Sequence, residues 1–473
     1  MSDMTLWGRL RALFDGPTDD LTTGGIARPL LWLAIPIAVT NALQTAYNLA
    51  DTLWIGRYST TSLAAMSFAF PMVYLLLSLG LGVSVAGSVL VAQHTGAEDT
   101  EEANFVASQT ITYAAVASVV LGAIGYLFVD DLLAVLGASG AVLTEATAYL
   151  RIISLGIGFL FTFVVFISLL RGYGDTVTPM LVMFGSVVLN VALDPILIYG
   201  WGPVPELGIR GAAFATVACR GLAAAFGVAL LLYGTQGLQI RPAKMIPDIE
   251  FGKKIGRVGL PSAVEEGARA LAINLMLFIV GLFPTAVVAG YGVGIRVFSL
   301  VVLPAVAFAS GVETMAGQNI GAREHDRAER TVSFAAVALF GVLTFVGLVV
   351  WVGAPVIVDV FTRDPDVVAA GATFLRFVAP TFGFIGVRRA FNAGFRGAGK
   401  TGTAAIIVVG VLGVVRLSTA YGAADILGPT GIWLGFALSN VVGGLLAFAW
   451  YSRGTWRGTD LMGDAGPEPA DDD

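Results

Sequence analysis

A single cysteine, Cys219, in 473 residues excludes an intramolecular disulfide and any thiolate metal cluster. Two histidines, His94 and His325, leave little material for a histidine-built metal or triad site, and both are expected in solvated cytoplasmic loops. Charge is scarce as well. Asp, Glu, Lys and Arg make up 13% of the chain, where soluble proteins carry roughly a quarter. The formal net charge of −6 argues against a nucleic-acid partner. No acid-rich or histidine-rich cluster stands at metal-ligand spacing, so an enzyme is not expected. The first 28 residues hold no apolar core behind a basic start, so no cleaved signal peptide is expected.

What is there is apolar. Hydrophobic residues make up 56% and glycine contributes 59 positions, with a mean hydropathy of +0.82. Spanning-length runs fall at 29–56, 62–92, 104–129, 139–170, 177–200, 209–235, 252–282, 287–318, 331–354, 367–395, 402–421 and 430–452, each meeting the ~20-residue requirement of a bilayer. With the N-terminus inside, sixteen basic residues fall in cytoplasmic loops and tails, from Arg9 to Arg457. Only Arg57, Arg210 and Arg363 fall outside. That imbalance predicts cytoplasmic termini in the plasma membrane. The reading divides the chain into a tail (1–28), a first lobe (29–235), a basic linker (236–251), a second lobe (252–452) and an acidic tail (453–473) expected to be disordered.

A shift of 225 superposes the chain on itself. Pro36 falls on Pro261, Gln93 on Gln318, Gly96-Ala97 on Gly321-Ala322, and Arg171-Gly172 on Arg396-Gly397. The fold class is therefore all-α integral membrane: twelve transmembrane helices in two parallel-related six-helix lobes around a central cavity.

The repeat is not symmetric in charge. Asp51 maps onto Met276, Asn190 onto Val415, and Asp194 onto Thr419. In the first helix Asn41, Gln44, Asn48 and Asp51 fall within an arc of about 80° at ~100° per residue, a single polar stripe. Asn190 and Asp194 share a face one turn apart. Buried acids are expensive in a bilayer and mark function by default. Two acids with amide neighbours can share protons, or bind Na⁺ through oxygen ligands. The bland alternative is that Asp51 caps a helix end at the outer interface.

Other signals read less sharply. Glu265 and Arg269 form an i,i+4 pair with Glu266 beside them, a structural or inner-gate contact. Glu313 should pair with another helix. Arg388 and Arg389 either line a cavity or pair with glutamate. Gly394-Phe-Arg-Gly-Ala-Gly-Lys-Thr401 fits the phosphate-loop pattern letter by letter, but that motif needs a strand before it in a soluble domain. Here it joins two membrane helices and reads as a glycine-rich turn.

Pro36 to Gly56, ending Asn-Leu-Ala-Asp51-Thr-Leu-Trp-Ile-Gly, resembles the first helix of the MATE (multidrug and toxic compound extrusion) family. So do Asn190-Val-Ala-Leu-Asp194-Pro195, the Gln-Asn-Ile-Gly-Ala motif at 318–322, and the Arg-Gly-x-Gly pair at 171 and 396. The chain looks most like the DinF-type branch. The resemblance implies a cation-coupled antiporter, using H⁺ or Na⁺ and no other cofactor, that exports amphipathic organic cations and drugs by alternating access. It implies that Asp51, Asn190, Asp194 and Thr216 form the coupling site, the first three ligating the metal if Na⁺ is the ion. Asn41, Gln44, Tyr47 and Asn48 would line the substrate cavity, and Pro36 would be a hinge. Expected partners are small amphipathic substrates and lipid, with the protein a monomer. A lipid-linked sugar flippase of the same superfamily is the alternative, kept open by Arg388, Arg389 and Arg416.

Overall fold

The computed structural model describes residues 21–202, 204–234, 237–458 and 461. Most of the expected N-terminal tail, residue 236 of the linker and most of the acidic tail lie outside them. The described residues form twelve long helices: α1 (Ala27–Tyr58), α2 (Thr60–Gly96), α3 (Thr100–Val135), α4 (Gly140–Tyr173), α5 (Val177–Tyr199), α6 (Ile209–Tyr233), α7 (Ile249–Val280), α8 (Thr285–Gly321) and α9 (His325–Asp359), then α10 (Pro365–Gly397) and α11 (Thr401–Leu427), and α12 (Pro429–Tyr451). Eleven are long and apolar enough to cross a membrane. The exception is α7, where Lys253, Lys254, Arg257, Glu265, Glu266 and Arg269 crowd the first two-thirds of the helix.

Local chemistry explains the helix ends. Ser59 accepts from the Thr61 and Ser62 amides ahead of α2, and Asp99 accepts from Glu102 N at 3.0 Å ahead of α3. Gly174, Gly200 and Gly234 stop α4, α5 and α6 in the left-handed region that glycine enters without strain. Two helices depart from simple α geometry. A 3₁₀ turn at Ala379–Thr381 interrupts α10 around Pro380, and α11 widens to a π-helix over Gly410–Leu417.

The 225-residue repeat persists in three dimensions. After α2, Glu98 adopts φ 59°; after α8, Arg323, its repeat partner (98 + 225 = 323), adopts φ 60°. Both are rare left-handed non-glycine positions. A Cβ on Gly172 would lie 2.3 Å from Ser88 O, and one on Gly397 would lie 2.7 Å from Glu313 O. Those two pairs are again 225 apart, so each half brings α4 against α2, or α10 against α8, through the same glycine.

The chain falls into two compact units. The first comprises Ile35–Ala263; the second comprises 264–461 together with 21–34. The division therefore runs through α1 just before Pro36 and through α7 just after Pro261. In the first unit Ile55, Met66, Tyr149, Leu150, Ile198 and Ile209 pack a common core. The linker lies along α3 of that unit, where Gln109 Nε2 donates to Lys244 O and Ile246 O, both at 2.7 Å. In the second unit the Tyr291 and Trp433 rings stack at 6.0 Å, with Phe374 edge-on to both and Phe436 edge-on to Phe374. Leu30 and Leu33 of α1 belong to this second core. Large apolar side chains such as Leu155, Phe278 and Phe345 point outward, as a surface facing hydrocarbon requires.

Candidate functional site

Four helices of the first unit converge on a buried polar cluster. Asp51 of α1, Asn190 and Asp194 of α5, and Thr216 of α6 are all buried, with Tyr47 and Tyr149 around them. Close helix contacts allow this. A Cβ on Gly211 would strike Leu197 O at 2.3 Å, and one on Gly156 would meet Val217 Cγ2 at 2.4 Å, so α6 sits tight against α5 and α4. Asn190 Nδ2 donates to Asp194 Oδ1 at 3.1 Å, one turn apart. The Asp51 and Asp194 carboxyls stand close enough to interact, and Thr216 stands close to Asp51, Tyr47 and Tyr149.

Several polar atoms of the cluster are left unpaired. Asp51 Oδ1, Asp194 Oδ2, Asn190 Oδ1, Thr216 Oγ1 and the Tyr47 hydroxyl are buried without a hydrogen-bond partner. Carboxylate and amide oxygens can only accept, so two facing carboxylates need a proton or a cation between them. An all-oxygen donor set suits H⁺ or a hard cation such as Na⁺. Among the described residues no three His, Cys, Asp or Glu side chains gather as a metal group, which leaves two acids and neutral oxygens as the ligand set.

The other positions read from the sequence are distributed differently. Asn41 is half-buried and Asn48 exposed, while Gln44 Nε2 donates to Asn48 Oδ1 at 3.2 Å. Gln44 and Tyr47 are taken up by a residue the sequence analysis did not single out. Arg220 of α6, 6% exposed, donates to Gln44 Oε1 at 2.7 Å and places its guanidinium 4.4 Å from the Tyr47 ring centre and 5.1 Å from that of Phe163. The signal was available: an arginine in the middle of the apolar run of the sixth helix. Tyr149 was also missed, being one apolar-looking residue among many on its helix.

Pro36 lies inside a continuous α1, where Thr40 Oγ1 donates to Pro36 O at 2.8 Å; such back-bonding favours bending. Met276, the repeat partner of Asp51, is packed in the second core. His94 corrects an expectation: it is not in a solvated loop but buried in the last turn of α2, its Nδ1 3.9 Å from Asp99. His325 opens α9, half-buried, its ring 6.3 Å from that of Trp456. The phosphate-loop-like stretch is the α10–α11 turn, with Gly399 at φ 73° and Lys400 as the α11 N-cap. In the second unit Glu265 meets Arg269 at 3.0 Å and Arg396 at 3.4 Å, and Arg396 also meets Glu313 at 2.8 Å. The partner expected for Glu313 is thus Arg396.

Comparison with known proteins finds the same doubled plan. A family model described as MatE matches twice, over 36–196 and 261–421, and the two matches are themselves 225 apart (261 − 36). The chain is similar to the probable multidrug resistance protein YpnP of Bacillus subtilis, 28% identical over 94% of this chain and 98% of that protein. It is similar to the probable multidrug resistance protein NorM of Thermotoga maritima, 27% identical over 91% of this chain and 93% of that one. A crystal structure of MATE in the bent conformation aligns with a TM-score of 0.85 at 26% identity, covering 92% of this chain and 96% of that one.

Proposed function

The chain belongs to the MatE family of multi-pass membrane transporters, and on that premise we propose that it is a cation-coupled antiporter exporting amphipathic organic compounds, cations among them, by alternating access. A transporter moves its substrate unchanged, so the buried acids serve ion exchange rather than covalent chemistry. The observation that carries the proposal is the facing pair Asp51 and Asp194, buried with Asn190 and Thr216 among unpartnered oxygens. The second unit has Met276, Val415 and Thr419 at the matching positions, which supports ion exchange in the first unit and the DinF-type branch. H⁺ or Na⁺ entering from outside would bind between the two carboxyls, and the bound form would favour one state of α1 about Pro36. A ligand shifts such an equilibrium only through its differential affinity for the two states, and a cation between like charges supplies one. Asn41, Gln44, Tyr47 and Asn48 would then face the substrate, with Gln44 and Tyr47 braced by Arg220. The excess of arginine at one end of the helices supports cytoplasmic termini in the plasma membrane, and the proposal takes the working form as a monomer.

The test is the purified protein in liposomes loaded with a fluorescent cationic dye, under an imposed proton or Na⁺ gradient. Dye should move only while one of the gradients is present. ATP-driven movement without a gradient, or no movement under either, would refute the reading. Arg388, Arg389 and Arg416 favour a second reading, transfer of a lipid-linked sugar between leaflets. A fluorescent lipid-linked sugar that flips while the dye stays in place would establish it.

A further inference from the structure

The acid pair of the first unit has a cover. Asp51 is 1% exposed and Asp194 0%, so an ion can reach them only if a way opens. Beyond the two acids, α1 and α5 end in aromatic side chains. Trp54 and Tyr58 follow Asp51 by one and two turns, and Tyr199 ends α5 five residues after Asp194. The Trp54 and Tyr199 rings meet edge-on at 6.2 Å and those of Tyr58 and Tyr199 at 5.9 Å. Trp201 stacks on Tyr199 at 6.0 Å.

Two hydroxyls fasten this layer. Tyr58 donates to Glu206 Oε1 at 2.8 Å, and Tyr199 donates to Trp54 O at 2.8 Å. The end of α1 is thus tied to the α5–α6 loop by its own tyrosine and to α5 by the tyrosine of that helix. Glu206 is itself held in place. The next two amides, of Leu207 and Gly208, donate to Leu197 O at 3.2 Å and Ile198 O at 3.1 Å. A Cβ on Gly208 would lie 2.9 Å from Tyr58 Cε1, so the loop presses against that ring. Glu145 of α4 also stands close enough to interact with Tyr58, and its Oε2 is buried without a hydrogen-bond partner. Tyrosine and tryptophan are common where helices leave a bilayer, but an ordinary aromatic belt needs no such ties. The repeat sharpens the contrast. Phe283 stands at the position of Tyr58 (58 + 225 = 283), and Ala370 at that of Glu145 (145 + 225 = 370). The half without the acid pair lacks this hydroxyl and this carboxylate as well.

We propose that Tyr58, Tyr199 and Glu206 form the entry port of the coupling cation, Glu206 receiving the ion and the two tyrosine hydroxyls holding the port shut until it arrives. This deepens the antiport reading and rests on it, including its placing of this end of α1 outside. Carboxylates at the rim raise the local concentration of cations. A hydrogen bond to a carboxylate is roughly twice as strong as one to a neutral acceptor. H⁺ or Na⁺ at Glu206 neutralises the acceptor, so the bond from Tyr58 weakens and the ring layer can part above Asp51. The Trp54 face, next inward, attracts the passing charge.

The experiment is chemical labelling of the full chain in dodecyl maltoside, at constant pH and without any ion gradient. A water-soluble carbodiimide with glycinamide converts reachable carboxyls to amides, and mass spectrometry reads the rate at Asp51. The wild type should label slowly. Tyr58→Phe should raise the rate about tenfold, the shift expected when a hydrogen bond to a charged group is lost. Tyr199→Phe removes the second tie and should also raise it, which gives the answer if Tyr58→Phe fails to fold. Glu206→Gln leaves a neutral acceptor for Tyr58 and should fall between the wild type and Tyr58→Phe. Glu265, 3% exposed in the second unit, is the internal control, and its rate should stay the same in every variant. An Asp51 rate unchanged by both tyrosine substitutions, a wild-type rate in Glu206→Gln, or an equal rise at Glu265 overturns the proposal. Labelling needs neither gradient nor dye, so a failed port leaves the antiport reading standing and is told apart from failed transport.

Discussion

Arg220 Nη2 donates to Gln44 Oε1 at 2.7 Å, joining α6 to α1 one turn before Tyr47 and two before Asp51. Among the described residues, the other hydrogen bond of this buried guanidinium is from its Nη1 to Met183 Sδ at 3.0 Å. Arg220→Met should therefore free Gln44, unload the Tyr47 ring and remove the positive charge beside Asp51. Lost hydrogen bonds to a charged group are worth roughly 1.5–3 kcal/mol, so thermal unfolding in detergent should show a fall of about 2 kcal/mol. Gradient-driven dye efflux should be lost with it, and Arg220→Lys should recover part of both. Undiminished efflux by Arg220→Met would remove this residue from the site.

Asp51→Asn and Asp194→Asn should each abolish gradient-driven efflux while leaving expression and elution profile intact. An amide nearly matches the carboxyl in shape but cannot exchange charge. Liposome assays of the two variants decide the matter: transport at the wild-type rate by both would mean that coupling resides elsewhere.

Arg396 bridges Glu265 of α7 and Glu313 of α8. Removing one partner of a buried ion pair leaves the other uncompensated and costs about 3–5 kcal/mol. Arg396→Ala should lower unfolding stability by about 3 kcal/mol, whereas Arg396→Lys should cost much less. A shift under 1 kcal/mol for the alanine variant, read by chemical denaturation, would show that the triad is not structural.

Gly172 and Gly397 occupy matching places in the two halves. Each would press a Cβ into backbone, of Ser88 and of Glu313. Gly172→Ala and Gly397→Ala should each destabilise by about 1–3 kcal/mol through overpacking. Similar losses from both, measured side by side, would confirm that the two contacts do the same work.

How much of this was legible beforehand depends on the kind of signal. Eleven of the twelve helices follow from hydrophobic run length, which the bilayer dictates almost without reference to tertiary context. The repeat, too, is a matter of counting, and Glu98 and Arg323 carry it into backbone angles that no propensity predicts for either residue. Asp51, Asn190, Asp194 and Thr216 are brought together, since a rare acid in an apolar run has few places to go. Arg220 was overlooked for a different reason. The reach of a long arginine side chain from α6 to Gln44 is set by helix packing through Gly156 and Gly211, which one-dimensional periodicity does not encode. His94 was placed in a loop because α2 was ended too early; its last turn carries the histidine inward.

The first turns of α1 pack with the second unit, and the opening of α7 packs with the first. The trade is reciprocal. During synthesis Leu30 and Leu33 emerge some 230 residues (264 − 34) before the main body of the core they enter. Neither half of the gene, cut at the linker, encodes a finished folding piece: one product would carry an arm without its core, the other a core without its arm.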